Sequence, residues 1–382
     1  MFNRKQILSG RNKESAWLWG ARQTGKSTLL KQLFPSSLYY DLLIPSQFER
    51  LTRNPGVLID ELAAVSRKAD MPVIIDEIQK IPSLLDAVQW LVVNKNISFI
   101  LCGSSARKLK RSHANLLGGR AIRYELYPLV SAEIPNFDLL RALNHGLLPR
   151  HYLSDEPQKL IQAYVAEYLK EEIAAEAISR NMPTFVRFLE TAAFSSAEIV
   201  NYTNIASDCG VSNPTVKEYF RVFEDTLIGR LLPAYVKRPK RRIIHAPKFY
   251  FFDVSLSNYL LKRGPITFGS ENFGKALEQF IYQEIYAHSQ YSQLKYELAY
   301  WRTSNQVEVD FILGDHEAAI EVKATHAAHD RHMKGLKAFS QEYKVKQSIL
   351  VTCDERPKIT NGVLVLPWKD FLGRLWAGKI IS

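Results

Sequence analysis

Short apolar runs alternate with polar, helix-compatible stretches through the first third of the chain. Ala16–Trp19, Ser37–Tyr40, Val73–Ile75, Phe99–Cys102 and Ile122–Leu126 are bounded by Gly, Pro or Asp. Continuous apolar runs of this length predict strands covered on both faces, so residues 15–127 read as an α/β unit with a parallel sheet. From Pro128 to about Leu232 the apolar positions recur at helical spacing; Leu160–Leu169 is amphipathic, and the pattern breaks near Asn181-Met182-Pro183. Strands return at Tyr250–Phe252, Val307–Leu313, Ala318–Val322 and Ser348–Thr352, with helices predicted at 274–290 and about 328–343. The expected division is 1–127, 128–236 and 237–382, with no internal repeat.

Composition narrows the class. At 382 residues, 46% hydrophobic and 23% charged, the chain has the balance of a soluble globular protein, which excludes a mainly disordered one. No uncharged apolar stretch reaches eighteen residues, and residues 1–20 lack the apolar segment of a secretory signal. Cys102, Cys209 and Cys353 are too far apart for a zinc motif or a disulfide framework. A cytoplasmic protein without membrane attachment is expected.

Lys and Arg number 50 against 39 Asp and Glu, a net charge of +11, which favours a polyanionic partner, nucleic acid first and an anionic membrane second, with DNA the expected one. Five cations crowd into Lys237-Arg238-Pro239-Lys240-Arg241-Arg242, so Lys237, Arg238, Lys240, Arg241 and Arg242 are the candidate phosphate contacts.

Gly20-Ala21-Arg22-Gln23-Thr24-Gly25-Lys26-Ser27 fits the pattern G-x-x-x-x-G-K-[ST], between a predicted strand and a predicted helix, Thr28–Phe34. The glycines let successive N–H groups face phosphate oxygens beside a helix N-terminus. ATP with Mg2+ is the expected ligand. Lys26 would neutralise β- and γ-phosphate charge, and the Ser27 hydroxyl would complete the metal shell. Downstream, Pro72-Val73-Ile74-Ile75-Asp76-Glu77 is an apolar strand ending in two acids. Asp76 is expected to hold Mg2+ and Glu77 to act as general base on the attacking water.

These motifs resemble those of AAA-type ATPases. The resemblance implies that Ser104 or Ser105, after the strand Phe99–Cys102, sits near the γ-phosphate. It also implies that Arg120, just before the next strand, reaches a neighbouring subunit's nucleotide, with Arg107, Arg111 and Arg123 as rivals. An arginine acting in trans requires a homo-oligomer, either a ring or an open helix. A helical lid would follow Pro128, with Arg150 as the candidate lid arginine.

Residues 183–232 read as a winged-helix-like middle domain. Pro183–Ala193 and Tyr202–Cys209 are helical, Gly210-Val211 turns the chain, Ser212 can cap, and a third helix starts at Pro214. Its leading end carries Ser212, Asn213, Thr215 and Lys217, while Val216, Tyr219, Phe220, Val222 and Phe223 mark much of it as core.

The runs Val307–Leu313 and Ala318–Lys323 predict a hairpin that brings Asp310 near Glu321 and Lys323. This resembles the PD-(D/E)xK nuclease fold of Holliday-junction resolvases, with Glu278 on the preceding helix. The implied roles are Glu278, Asp310 and Glu321 as Mg2+ ligands, with Lys323 positioning water. Glu308 and Asp315 read equally well as surface charges. With Leu160–Ile173 and Lys248–Asp253, nearly the whole chain resembles prokaryotic ATPases that carry a C-terminal domain of unknown function. Leu147-Leu148-Pro149-Arg150 departs from that pattern after the lid helix. The expected function is an ATP-hydrolysing oligomeric motor that binds and remodels DNA, branched DNA included. The alternatives are a protein-directed remodeller or ATP-gated defence or signalling switch, and an ATP-controlled nuclease.

Overall fold

A computed structural model describes residues 2–8, 14–65, 71–105, 107, 109, 117–173, 182–237 and 242–381. These form two units, one made of Gln6–Tyr127 with Asp225–Leu227 and the other of the remaining described residues.

The first unit is built on five parallel strands: β1 (Ser15–Trp19), β2 (Tyr39–Asp41), β3 (Val73–Asp76), β4 (Phe99–Gly103) and β5 (Ala121–Glu125), in the order β2-β3-β4-β1-β5. Every residue of β1, β3 and β4 is buried, as their uninterrupted apolar runs require. Helices Lys26–Leu33, Pro45–Arg53, Val57–Ala64 and Leu84–Lys95 connect or follow the strands. Leu51, Leu58, Leu62, Leu84, Val88 and Leu91 from these helices join Trp17, Val73, Ile75 and Leu101 in one core. The order sets β1 between β4 and β5, and β2 beside β3. The ends of the motif-bearing strands therefore converge on the loop after β1.

In the second unit, residues 182–251 run helix (Met182–Phe194), β6 (Glu198–Ile199), helix (Tyr202–Cys209), helix (Asn213–Asp225, up to Glu224 within this unit), β7 (Gly229–Leu232), β8 (Lys248–Phe251). The three strands form an antiparallel sheet in the order β6-β8-β7. Phe185, Phe188, Tyr219, Phe220, Phe223 and Phe249 pack ring against ring in its core. The third helix thus spends its apolar face internally. Residues 233–247, which contain the basic run, join β7 to β8.

A six-stranded mixed sheet follows: β9 (Leu298–Arg302), β10 (Glu308–Leu313), β11 (Ala318–Val322), β12 (Gln347–Thr352), β13 (Lys358–Thr360) and β14 (Val363–Pro367), in the order β13-β14-β12-β11-β10-β9. The predicted hairpin is β10-β11, paired antiparallel from Phe311↔Ile320 to Leu313↔Ala318. Helices Phe273–Tyr291 and Trp368–Trp376 cover one face and Lys334–Glu342 the other. The predicted helix at about 328–343 is shorter, because Asp330–Met333 forms a 3-10 turn before it. Among the described residues, no helix is long and apolar enough to cross a membrane.

Candidate functional site

The phosphate-binding motif is built as a tight loop closing onto a helix. Gly25, at φ 92°, caps the helix Lys26–Leu33 in the left-handed region, which a side chain would resist. A Cβ at Gly20 would lie 2.6 Å from the Leu126 carbonyl and 2.9 Å from Thr24 Oγ1, so a larger residue cannot enter without moving backbone. Thr24 is fully buried and donates to the Ala21 carbonyl at 2.9 Å, bracing the loop. Lys26, itself buried, donates to the carbonyls of Gly20 (2.8 Å) and Ala21 (3.1 Å). The helix starts two residues earlier than predicted, so Lys26 and Ser27 occupy its first turn.

The acidic strand end meets this loop. Ser27 Oγ donates to Asp76 Oδ2 at 2.6 Å, and Asp76 Oδ1 accepts from the Glu77 N–H at 3.0 Å. Tyr39 also donates to Asp76 Oδ2, at 2.5 Å. Burial, with Asp76 beside it, holds the Tyr39 phenol well above its ordinary pKa, so it remains a donor. Burial first, then the Asp76 charge, likewise keeps the Cys102 thiol neutral.

Glu77 takes the left-handed backbone at φ 59°, a conformation that non-glycine residues rarely adopt. Its carboxylate accepts a hydrogen bond from Gln79 Nε2, which also donates to Ser104 Oγ at 3.2 Å. Gln79 therefore links the candidate base to the candidate residue after β4. A Cβ on Gly103 would come within 2.2 Å of Gln79 Oε1, so that glycine gives the amide its room.

The arginines separate. Arg120 is exposed immediately before β5. Arg107 is buried and pairs with Asp225 at 3.0 Å, and Arg123 pairs with Glu125 at 2.7 Å. Arg111 lies outside the described residues. Arg150 is exposed on the short helix Pro149–Leu153 of the second unit.

In the second unit Glu278, Asp310, Glu321 and Lys323 come together, but with a cation that the sequence reading assigned no role. Lys248, at the head of β8 and 3% exposed, directs Nζ at Glu278 Oε1 (3.1 Å), at Glu308 Oε1 and at Asp310 Oδ1 (3.6 Å). Burial would lower the Lys248 pKa; Glu278, Asp310 and Glu308 outweigh it and hold the ammonium protonated. Arg302 holds the other oxygen of Glu308 at 2.9 Å, Tyr250 donates to Glu278 at 2.7 Å, and Lys323 pairs with Glu321 at 2.6 Å. Asp310 Oδ2 accepts the Val322 N–H at 2.8 Å. Protein donors already engage Glu278 and Asp310, whereas Glu321 takes Lys323 on Oε1 and keeps a buried Oε2 without a hydrogen-bond partner. Among the described residues, no group of three or more His, Cys, Asp or Glu side chains is arranged to hold a metal ion. Glu308 belongs to the network rather than to the surface, whereas Asp315 is exposed in the hairpin turn and pairs with Lys237 at 3.1 Å.

Of the candidate DNA contacts, Lys237 and Arg242 are exposed, while Arg238, Lys240 and Arg241 lie outside the described residues. Ser212, Asn213 and Lys217 are exposed at the leading end of the third helix. Ser212 Oγ accepts the Thr215 N–H at 3.4 Å, as a capping residue would.

Residues 12–134 match the AAA domain family. Residues 136–267 and 273–371 match two domains of unknown function, DUF8612 and DUF4143. An uncharacterised protein of Methanocaldococcus jannaschii is 24% identical over 431 aligned residues, spanning 96% of this chain and 86% of its own. The Orc1 protein of Aeropyrum pernix, solved in complex with DNA, is 12% identical, covering 65% of this chain and 86% of its own, at a TM-score of 0.27. A signal transduction ATPase with numerous domains and a tetratricopeptide repeat sensor, from Pyrococcus horikoshii, is 11% identical. It covers 74% of this chain and 46% of its own at a TM-score of 0.20. Both structural likenesses are too slight to carry an assignment. The family match, the parallel sheet and the loop after β1 together make the first unit an AAA-type P-loop domain.

Proposed function

We propose that this chain is an ATP-hydrolysing AAA-type machine that assembles as a homo-oligomer and binds and remodels DNA, branched DNA included. The observation that carries the hydrolytic part is the meeting of Ser27 and Asp76 at 2.6 Å beside Lys26. A hydroxyl and a carboxylate oxygen in contact suit a hard cation that also binds phosphate, so Ser27 and Asp76 would hold magnesium. Bound there, the ion would neutralise charge on the triphosphate. Lys26 would exchange its two loop carbonyls for phosphate oxygens, and the loop N–H groups would orient the chain of phosphates. Glu77 would take the proton of the attacking water while Gln79, itself bonded to Ser104, holds its carboxylate in position. Arg120, exposed before β5, would serve a neighbouring copy in a head-to-tail assembly.

The DNA part rests on the +11 charge and on the basic run at 237–242 in the sequence between β7 and β8. It rests also on the order helix, strand, two helices, two strands through residues 182–251, which agrees with the winged-helix reading of the sequence. ATPase rate measured against linear, forked and four-way DNA tests it: stimulation is expected, greatest with branched forms, together with a low-salt gel shift. No stimulation and no shift would remove DNA from the reading.

A further inference from the structure

The C-terminal acid cluster has the composition of a metal site and the wiring of something else. Four carboxylates gather there, Glu278 from the helix Phe273–Tyr291, Glu308 and Asp310 from β10, and Glu321 from β11. Three cations face them: Lys248, Arg302 and Lys323. At most one net negative charge remains, so the protein's own cations already balance most of the carboxylate charge. An ammonium has three N–H donors, and Lys248 faces three different carboxylates.

Nor can Lys248 easily step aside. Its backbone is fixed in the middle strand of the sheet β6-β8-β7, in register with Ile199 and Leu232. Its side chain is 3% exposed and its Nζ lies 5.7 Å from the centre of the Tyr300 ring. Removing it would leave Glu278 with Tyr250, Glu308 with Arg302 and Asp310 with the Val322 N–H, and would take away the cation that the three share. A magnesium ion bound through Glu278 and Asp310 would have to take carboxylate oxygens that the ammonium already faces.

We propose that the Lys248 ammonium is the resident cation of this cluster, standing where a divalent metal would, so that the C-terminal domain takes up no catalytic metal and does not cleave phosphodiesters. The domain then serves as a rigid, metal-independent binding unit, whatever the P-loop domain does.

Mn2+ retained by the nucleotide-free full-length chain, counted by electron paramagnetic resonance, decides this. Wild type, Asp310→Asn and Glu321→Gln are expected to retain equal numbers of ions, and all three to leave supercoiled and branched DNA equally intact in Mn2+. A site, or a nicking activity, present in wild type and lost in either variant would overturn the proposal. Lys248→Met removes the ammonium at nearly constant volume; the folded variant is expected to gain a Mn2+ site at least roughly tenfold tighter than any in this domain of wild type. That site should vanish when Asp310→Asn is added. A folded Lys248→Met chain that gains no Mn2+ site would also overturn the proposal. Should Lys248→Met not fold, the comparison of wild type with Asp310→Asn and Glu321→Gln decides alone.

Discussion

Ser27 Oγ donates to Asp76 Oδ2 across 2.6 Å, joining the first turn of one helix to the end of a strand that lies two positions from β1 in the sheet. Tyr39 donates to the same oxygen, because β2 runs beside β3 and pairs Asp41 with Asp76. The acid is therefore held between two hydroxyl donors before any phosphate meets it, and little side-chain reorganisation would be needed on binding.

Lys26→Ala should weaken ATP binding by about 30- to 150-fold, since a charge-assisted contact to phosphate is worth about 2–3 kcal/mol. Fluorescent-nucleotide titration measures it. Unchanged affinity would mean that the nucleotide does not sit on this loop.

Glu77→Gln should leave ATP affinity close to that of wild type and lower turnover by about 10²–10⁴. The amide preserves the shape of the side chain and loses the basic oxygen. Single-turnover hydrolysis beside equilibrium binding separates the two effects.

Gln79→Leu should lower turnover about tenfold at nearly constant affinity, because Glu77 and Ser104 lose the amide that connects them. The pH dependence of turnover distinguishes positioning from a fold defect. A positioning role predicts a lower plateau with the same limbs, whereas partial unfolding would lower affinity and thermal stability together.

The P-loop was legible because its chemistry is local: glycines, lysine and serine lie within eight residues, and strand and helix flank them. The strands of the first unit were legible for a similar reason, since uninterrupted apolar runs have few alternatives to a covered parallel sheet. Tyr39 and Gln79 were not. Tyr39 matters only because β2 pairs with β3, and Gln79 only because β4 brings Ser104 beside it, and neither adjacency is written in spacing. Lys248 escaped for the opposite reason. A lysine at the head of an aromatic strand looks like the wet end of that strand, yet the helix Phe273–Tyr291 and β10 close over it and supply its carboxylates.

Arg120→Ala should cut ATPase activity by about a hundredfold or more if its guanidinium completes a neighbour's site. The decisive form of the test mixes Arg120→Ala with Lys26→Ala. Each is inactive alone, but a Lys26→Ala subunit still offers Arg120 to the intact loop of an Arg120→Ala subunit. Recovery of activity on mixing is expected; a wild-type rate from Arg120→Ala alone would withdraw the assignment.

A pH dependence of stability is built into the second unit at Glu284. This carboxylate is 1% exposed and accepts from the Ser131 N–H at 2.6 Å, the Ser131 hydroxyl at 2.9 Å and the Trp376 Nε1–H at 2.7 Å. Burial raises its pKa from the ordinary 4.5 to about 7, and those three donors oppose the rise without cancelling it. In the folded chain the group keeps its proton where the unfolded chain has already released it. Stability from this group is therefore full below about pH 4.5 and declines as the pH rises through about 7. The whole effect is on the order of 3 kcal/mol. Glu284→Gln keeps the shape and removes the titration, so its melting temperature should lose less between pH 5 and about 7.5 than that of wild type. Parallel melting curves for the two proteins across that range would show this group to be titrating at its ordinary value.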